Sequence, residues 1–254
     1  VGFKPIVVAM LFVLTGCGYK VDQSTSGPTS IKPIVITAMP TEVPRESSLS
    51  FAGRIEQVQK RSPVLAKFIM SLYRNSAKTD KTSYRKLKNY IRNAHNKGHS
   101  YILTNERAYQ YAYGATEYSK HFGINKDIFV SLITHENGWH NTVGDTSRRG
   151  QKVLRYKWSW GLGQIQYRTA DGFLSKNGIN GLVEQDLLDF PLLNLYVAGG
   201  VLAEKVIHYK DYSIALQSYN GGQNGWKDGR SKGYKNKVLK IYASRNKWNH
   251  VVNK

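Results

Sequence analysis

After residue 50 the apolar positions recur at helical spacing, as in Val64-Phe68-Leu72 and Tyr84-Leu87-Tyr90-Ile91, with lysines and arginines filling the positions between. Four later helices are sharper. The first begins at Asn125, a residue suited to capping, carries Asp127 in its first turn, and stops before Gly138. Along it Phe129, Leu132, Ile133 and Glu136 follow the i, i+3, i+4, i+7 rule, which puts a carboxylate on the buried stripe. A second helix, Pro191 to His208, is nearly apolar from Leu192 to Leu202 and reads as the central core element. A third, Asp211 to Tyr219, is capped by Asp211 and closed by Gly221-Gly222. The fourth shows Tyr234, Val238, Ile241 and Tyr242 on one face. No repeat of solenoid period interrupts this pattern, so the expected class is mainly α.

The first fifty residues read differently. Lys4 and Pro5 precede nine apolar residues, Ile6 to Leu14, and then Thr15-Gly16-Cys17. A basic start, a short apolar run and small residues make the layout of a secretory leader, too short to span a bilayer. Leu14-Thr15-Gly16-Cys17 resembles the bacterial lipobox, which implies acylation of Cys17 and a lipid anchor in the membrane. Gly18 to Ser50 holds four of the seven prolines among many Ser and Thr, with balanced charge, and reads as a flexible tether. Within it Ile34 to Met39 is the one run able to pair as an edge strand. The expected organisation is a signal peptide over 1–16, a lipidated cysteine and tether over 17–50, a basic helical extension over 51–114, and the main domain over 115–254.

Composition changes the picture in two places. Of 254 residues, 37 are Lys or Arg and 17 are Asp or Glu, a net charge of +20. Residues 51–125 carry 14 basic against 4 acidic side chains, and 126–254 carry 19 against 10, so the charge sits on the folding part. Such a balance usually points to nucleic acid. Export sets that partner aside and puts the charge beside the cell wall, whose stem peptides carry carboxylates. A solvated basic surface with no partner accounts for the charge equally well. The single cysteine excludes an internal disulfide framework and multi-cysteine metal sites.

Elimination narrows the chemistry. His135-Glu136 invites a zinc-protease reading, but the next histidine, His140, stands five positions on, about 500° around a helix, with Gly138 between. The other histidines show no ligand spacing, so no metal and no cofactor are expected. No Gly-x-Ser-x-Gly elbow and no phosphate loop occur. Glu136 remains as the acid: a carboxyl against apolar neighbours rises in pKa toward neutrality and can give its proton to a leaving group.

Five segments, in order, resemble the soluble lytic transglycosylase family. They are Glu136-Asn137-Gly138-Trp139; Gly161-Leu162-Gly163-Gln164-Ile165 with Thr169-Ala170; Pro191-Leu192-Leu193-Asn194-Leu195 with Gly199 and Leu202; Ala215 to Gly222 (ALQSYNGG); and Tyr234, Lys237 and Val238. Together they cover 115–242. The resemblance implies a helical fold of the goose-type lysozyme kind and cleavage of the MurNAc–GlcNAc bond of peptidoglycan without water. One glutamate protonates the glycosidic oxygen and then, as a base, deprotonates the sugar's C6 hydroxyl, which closes on C1 to a 1,6-anhydro end. Ordinary glycosidases need two carboxylates. Carried onto this sequence, Glu136 is the catalytic acid and base. Gln164 hydrogen-bonds substrate or braces its loop; Tyr219 lines the site, and Asn220 lines or braces it. Trp139, Trp158, Trp160 and Tyr167 stack on sugar rings or fill the core.

Goose-type lysozymes carry aspartates where this chain has Gln166 and Arg155, which favours the transglycosylase over the hydrolase; Asp145, between the first two motifs, can swing toward the site. Other departures touch the substrate contacts. Asn137 replaces a serine, Gly163 replaces a methionine expected to touch substrate, and Tyr167 replaces a proline. About ten extra residues, Asp145 to Lys157, are expected to form a basic surface loop beside the substrate groove. The Gly163 change and the insertion also fit a catalytically silent wall-binding lipoprotein. Gly18 after the cysteine lacks the aspartate linked to inner-membrane retention, so the expected location is the outer membrane, facing the periplasm.

Overall fold

The computed structural model describes residues 45–97, 102–148, 151–222 and 224–252. The leader, Cys17, the Ile34 to Met39 run and the tether up to residue 44 lie outside the described residues. Ten α-helices are present among the described residues: α1 (Phe51–Arg61), α2 (Pro63–Lys78), α3 (Arg85–Asn96), α4 (Asn105–His121), α5 (Lys126–Asn137), α6 (Tyr167–Lys176), α7 (Asp186–Asp189), α8 (Pro191–Tyr209), α9 (Tyr212–Gly221) and α10 (Lys232–Val252). Five two-residue strands lie between α5 and α6: β1 (Val143–Gly144), β2 (Ser147–Arg148), β3 (Gln151–Lys152), β4 (Ser159–Trp160) and β5 (Ile165–Gln166). The fold is mainly α, as the periodicity predicts.

Helix α8 is the hub. Apart from half-buried Tyr196 it is buried from Pro191 to Ala203, which is why its sequence there is apolar on nearly every side, and α4, α6, α7, α9 and α2 pack on it. Helix α5 packs between α4 and α10. Local chemistry sets the helix starts. Asn125 Oδ1 accepts from the amides of Asp127 and Ile128, and Asp211 Oδ1 from those of Ser213 and Ile214. Ser62 caps α2 through Leu65 N and donates to Asn180 O at 2.7 Å, tying the early helices to the segment before α7.

The extension expected over 51–114 shares this core. Leu65, Ile69 and Ile91 are fully buried, and α4 runs across the 114/115 boundary. Residues 45–50, assigned by composition to the tether, are fastened in part. Glu46 accepts from Arg54 at 2.9 Å and from Arg107 at 2.6 and 2.8 Å, and Ser47 N donates to Asp189 Oδ1 at 2.6 Å. Two facing arginines supply what the segment's own composition lacks.

The insertion expected as a loop is organised. β2 and β3 pair antiparallel, and a 3-10 turn at Arg155–Lys157 leads into β4. The second sheet has the order β1-β4-β5, with Val143 opposite Trp160 and Trp160 opposite Ile165. Its β4–β5 turn, residues 161–164, is held against α5, α8 and α9.

Candidate active site

Glu136 is the penultimate residue of α5, delivered where the helix ends. Gly138 takes a left-handed conformation (φ 61°) and its N–H returns to Thr134 O. Trp139 follows at φ 71°, a conformation a bulky residue adopts only under constraint. The constraint is burial: the indole is fully enclosed, stacks on Tyr111 at 6.2 Å and donates from Nε1 to Thr134 Oγ1 at 2.9 Å. Of the two roles expected for Trp139, stacking on sugar or filling the core, full burial leaves the second. Its ring is a core plug that sets the turn after the acid.

The Glu136 carboxyl is raised to about 7: burial drives the rise, the hydrogen bond donated by Tyr234 Oη opposes it, and the Asp145 carboxylate adds to it. Tyr234 comes from the first turn of α10. Its own hydroxyl is pushed well above the usual phenol range, by burial first and then by Glu136, so it stays a neutral donor. Tyr219, from α9, is likewise raised well above the phenol range by burial and by Glu136, and donates to Gly163 O at 2.8 Å.

The β4–β5 turn is gripped from several sides. Asn194, buried in α8, accepts from Gly163 N at 2.7 Å and donates to Trp160 O at 2.8 Å. Gly161 O accepts from Asn137 Nδ2 at 2.9 Å and from Gln164 Nε2 at 2.8 Å; Gln164 Nε2 also reaches Thr142 O at 3.1 Å. Gln164 therefore braces the loop, the second of its two expected roles. At Gly161 (φ 70°) a Cβ would stand 2.3 Å from Asn194 Nδ2 and 2.5 Å from Leu187 O, so both conformation and space require glycine. At Gly163 a Cβ would stand 2.5 Å from Ala198 Cβ, on α8. Gly163 therefore lets the turn approach α8 closely. Gly163, an expected substrate contact, has no side chain to offer, and a Cβ there would point at α8.

The remaining expected residues divide. Tyr167 is half-buried at the start of α6 and donates to Leu182 O at 3.2 Å. Asn220 is exposed and accepts from Ser231 Oγ at 3.3 Å, a bracing contact. Trp158 donates to Val153 O at 2.8 Å, and Trp160 is fully buried. Asp145 is fixed by Ser159 Oγ at 2.5 Å and has φ 55°. His140 stacks with His95, ring centroids 4.1 Å apart, while His135 lies by Tyr234 at 4.9 Å, so the two histidines of the would-be zinc motif face different partners. Among the described residues no three His, Cys, Asp or Glu side chains gather as a metal site.

Sequence reasoning placed Tyr234 and Asn194 in motif segments without giving either a role. Their pairing with Glu136 and with the turn spans 98 and 31 residues. The arrangement offers one proton-transferring carboxyl poised near neutrality, a phenol that stabilises its charged form, and a rigid turn beside it.

Comparison with known proteins adds the following. Residues 114–241 match the family described as the transglycosylase SLT domain. No curated protein matches. Among solved structures, an inactive mutant of the lytic transglycosylase Slt from Pseudomonas aeruginosa is similar at 14% identity and a TM-score of 0.42, over 78% of this chain and 37% of that one. The match thus spans little more than a third of that protein.

Proposed function

The chain belongs to the transglycosylase SLT domain family, and from that premise we propose that it is a peptidoglycan lytic transglycosylase with Glu136 as sole general acid and base. The observation that carries the proposal is the Glu136 carboxyl, lifted to about 7 inside the fold and hydrogen-bonded by Tyr234. A carboxyl of that pKa is substantially protonated at neutral pH and is still a useful base once it has given the proton away. It donates to the oxygen of the MurNAc-(β-1,4)-GlcNAc bond as the C1–O bond breaks. The resulting carboxylate, held by Tyr234 Oη, takes the proton from the C6 hydroxyl as O6 bonds to C1. No water is consumed, the acid is regenerated, and no cofactor is called for.

The cellular side of the proposal rests on the sequence before the described residues. Acylation of Cys17 would anchor the enzyme in the bacterial envelope, at the outer membrane facing the periplasm, where its partner is the peptidoglycan glycan strand.

One observation favours a second reading. Asp145 is held close enough to Glu136 to raise its pKa, and in a hydrolase it would be the base that activates water. Digestion of purified sacculi followed by mass analysis decides between the two. Anhydro ends, lighter than reducing ends by one water, are the expected product. Reducing ends would establish the hydrolase, and fragment release by a Glu136→Gln variant would refute the assignment of the acid.

A further inference from the structure

The proposed chemistry leaves a basic cluster beyond the far end of the β4–β5 hairpin without a role. Tyr156 and Lys157 belong to the 3-10 turn that ends the insertion, and Arg168 stands in the first turn of α6. All three are exposed. Arg168 lies over the Tyr156 ring at 5.1 Å and Lys157 at 5.5 Å, and neither cation has a carboxylate partner among the described residues. The platform beneath them is fixed. Arg155 pairs with Glu184 at 2.5 Å and covers the Trp158 and Trp160 rings, and Gln166 Nε2 donates to Lys157 O at 3.3 Å.

Position gives the cluster meaning. Lys157 stands four residues up the chain from Gly161, roughly 13 Å of extended backbone, so a polymer passing the β4–β5 turn can reach it. A glycan ring whose lactyl carboxyl is tied up in the amide to its peptide offers these cations no charge; the carboxylates farther along that peptide offer a partner for each. We infer that Lys157, Arg168 and Tyr156 form an accessory subsite for the carboxylates of the peptides borne by the glycan strand, built where the end of the insertion meets the start of α6. This rests on the peptidoglycan reading above and deepens it: the subsite makes the protein prefer peptide-bearing over naked strands.

The test compares the full chain with a Lys157→Ala/Arg168→Ala variant on glycan strands that retain their peptides and on the same strands stripped by an amidase, with the lactyl carboxylate that the amidase exposes on each MurNAc blocked as its amide. Lys120→Ala/Lys126→Ala, which removes equal charge at α4 and α5 ends remote in sequence from the hairpin, is the control. The expected result is an about tenfold loss of kcat/KM on peptide-bearing strands, equivalent to two partly screened ion contacts, with naked strands and the control unchanged. High salt should erase the difference. Equal loss on both strands, or no loss on either, overturns the inference. Co-sedimentation with the two polymers keeps the inference separate from the chemistry. If nothing is cleaved, the proposed function fails, and peptide-dependent retention that the double variant loses still supports the subsite, whereas peptide-independent retention refutes it.

Discussion

Replacing Tyr234 by phenylalanine removes one hydroxyl and isolates its effect on the acid. That hydroxyl donates to Glu136 Oε1 and opposes the rise that burial imposes on the carboxyl, which stands at about 7. A hydrogen bond to a charged group contributes about 1.5–3 kcal/mol, and one pH unit corresponds to about 1.4 kcal/mol. Without the donor the Glu136 pKa should climb by roughly one to two units. The wild-type rate should be flat in acid and fall as pH rises through about 7, because only the protonated form can act on the glycosidic oxygen. In Tyr234→Phe the fall should come one to two units later, and the acid plateau should drop because a weaker acid donates less readily. Release of soluble fragments from sacculi between about pH 5 and 9 measures both. A limb that stays in place, or that moves to lower pH, would refute the view that Tyr234 stabilises the carboxylate.

Asp145→Asn should move the same limb the other way, to lower pH and by a smaller amount, because the Asp145 charge raises the Glu136 pKa; the same assay reads it. Glu136→Gln should abolish release and also change stability with a definite sign. The folded carboxyl at about 7 against 4.5 in the unfolded chain means the folded state holds its proton more tightly, so stability falls as pH rises from 4.5 through about 7. The span of about 2.5 units corresponds to roughly 3 kcal/mol, so urea midpoints of wild type and Glu136→Gln should diverge between about pH 4.5 and 8, and parallel midpoints would contradict the raised pKa. Gly163→Ala should cost about 1–3 kcal/mol through overpacking against Ala198, and Ala198→Gly in the same chain should recover part of it in thermal melts.

What the sequence showed was what local chemistry decides. Asn125 and Asp211 act on amides two and three residues away, so their capping was legible from position alone. Glu136 was legible because helical spacing put it on the stripe with Phe129, Leu132 and Ile133. Distant partners were not. Nothing near Tyr234 says that it meets a residue 98 positions earlier, and nothing near Trp139 says that a left-handed tryptophan will be swallowed by the core against Tyr111. The segment 51–114 carried no motif, and its described part packs: Leu65, Ile69 and Ile91 join the core, where any apolar side chains of suitable shape would serve.

The proposed mechanism asks one carboxyl for two proton transfers, and the backbone around that carboxyl is strained. An enzyme with a second carboxylate can let water adjust the distance between base and sugar, whereas on the proposed mechanism the same oxygen atoms would serve the leaving oxygen and then O6. Accuracy has to come from the frame. Four non-glycine residues among those described have positive φ, and three of them, Trp139, Asp145 and Gln164, bound the acid, the facing carboxylate and the β4–β5 turn; the fourth, Lys210, simply ends α8. Each strained residue is held by a named contact: Trp139 by Thr134 and burial, Asp145 by Ser159, Gln164 by Thr142 and Gly161. The turn itself is tied by amides from α5 and α8 and by the phenol of α9, so the acid and the surface opposite it are fixed by the same core. A fold that tolerates strain at these three positions and anchors each one is accordingly suited to holding a single proton donor still.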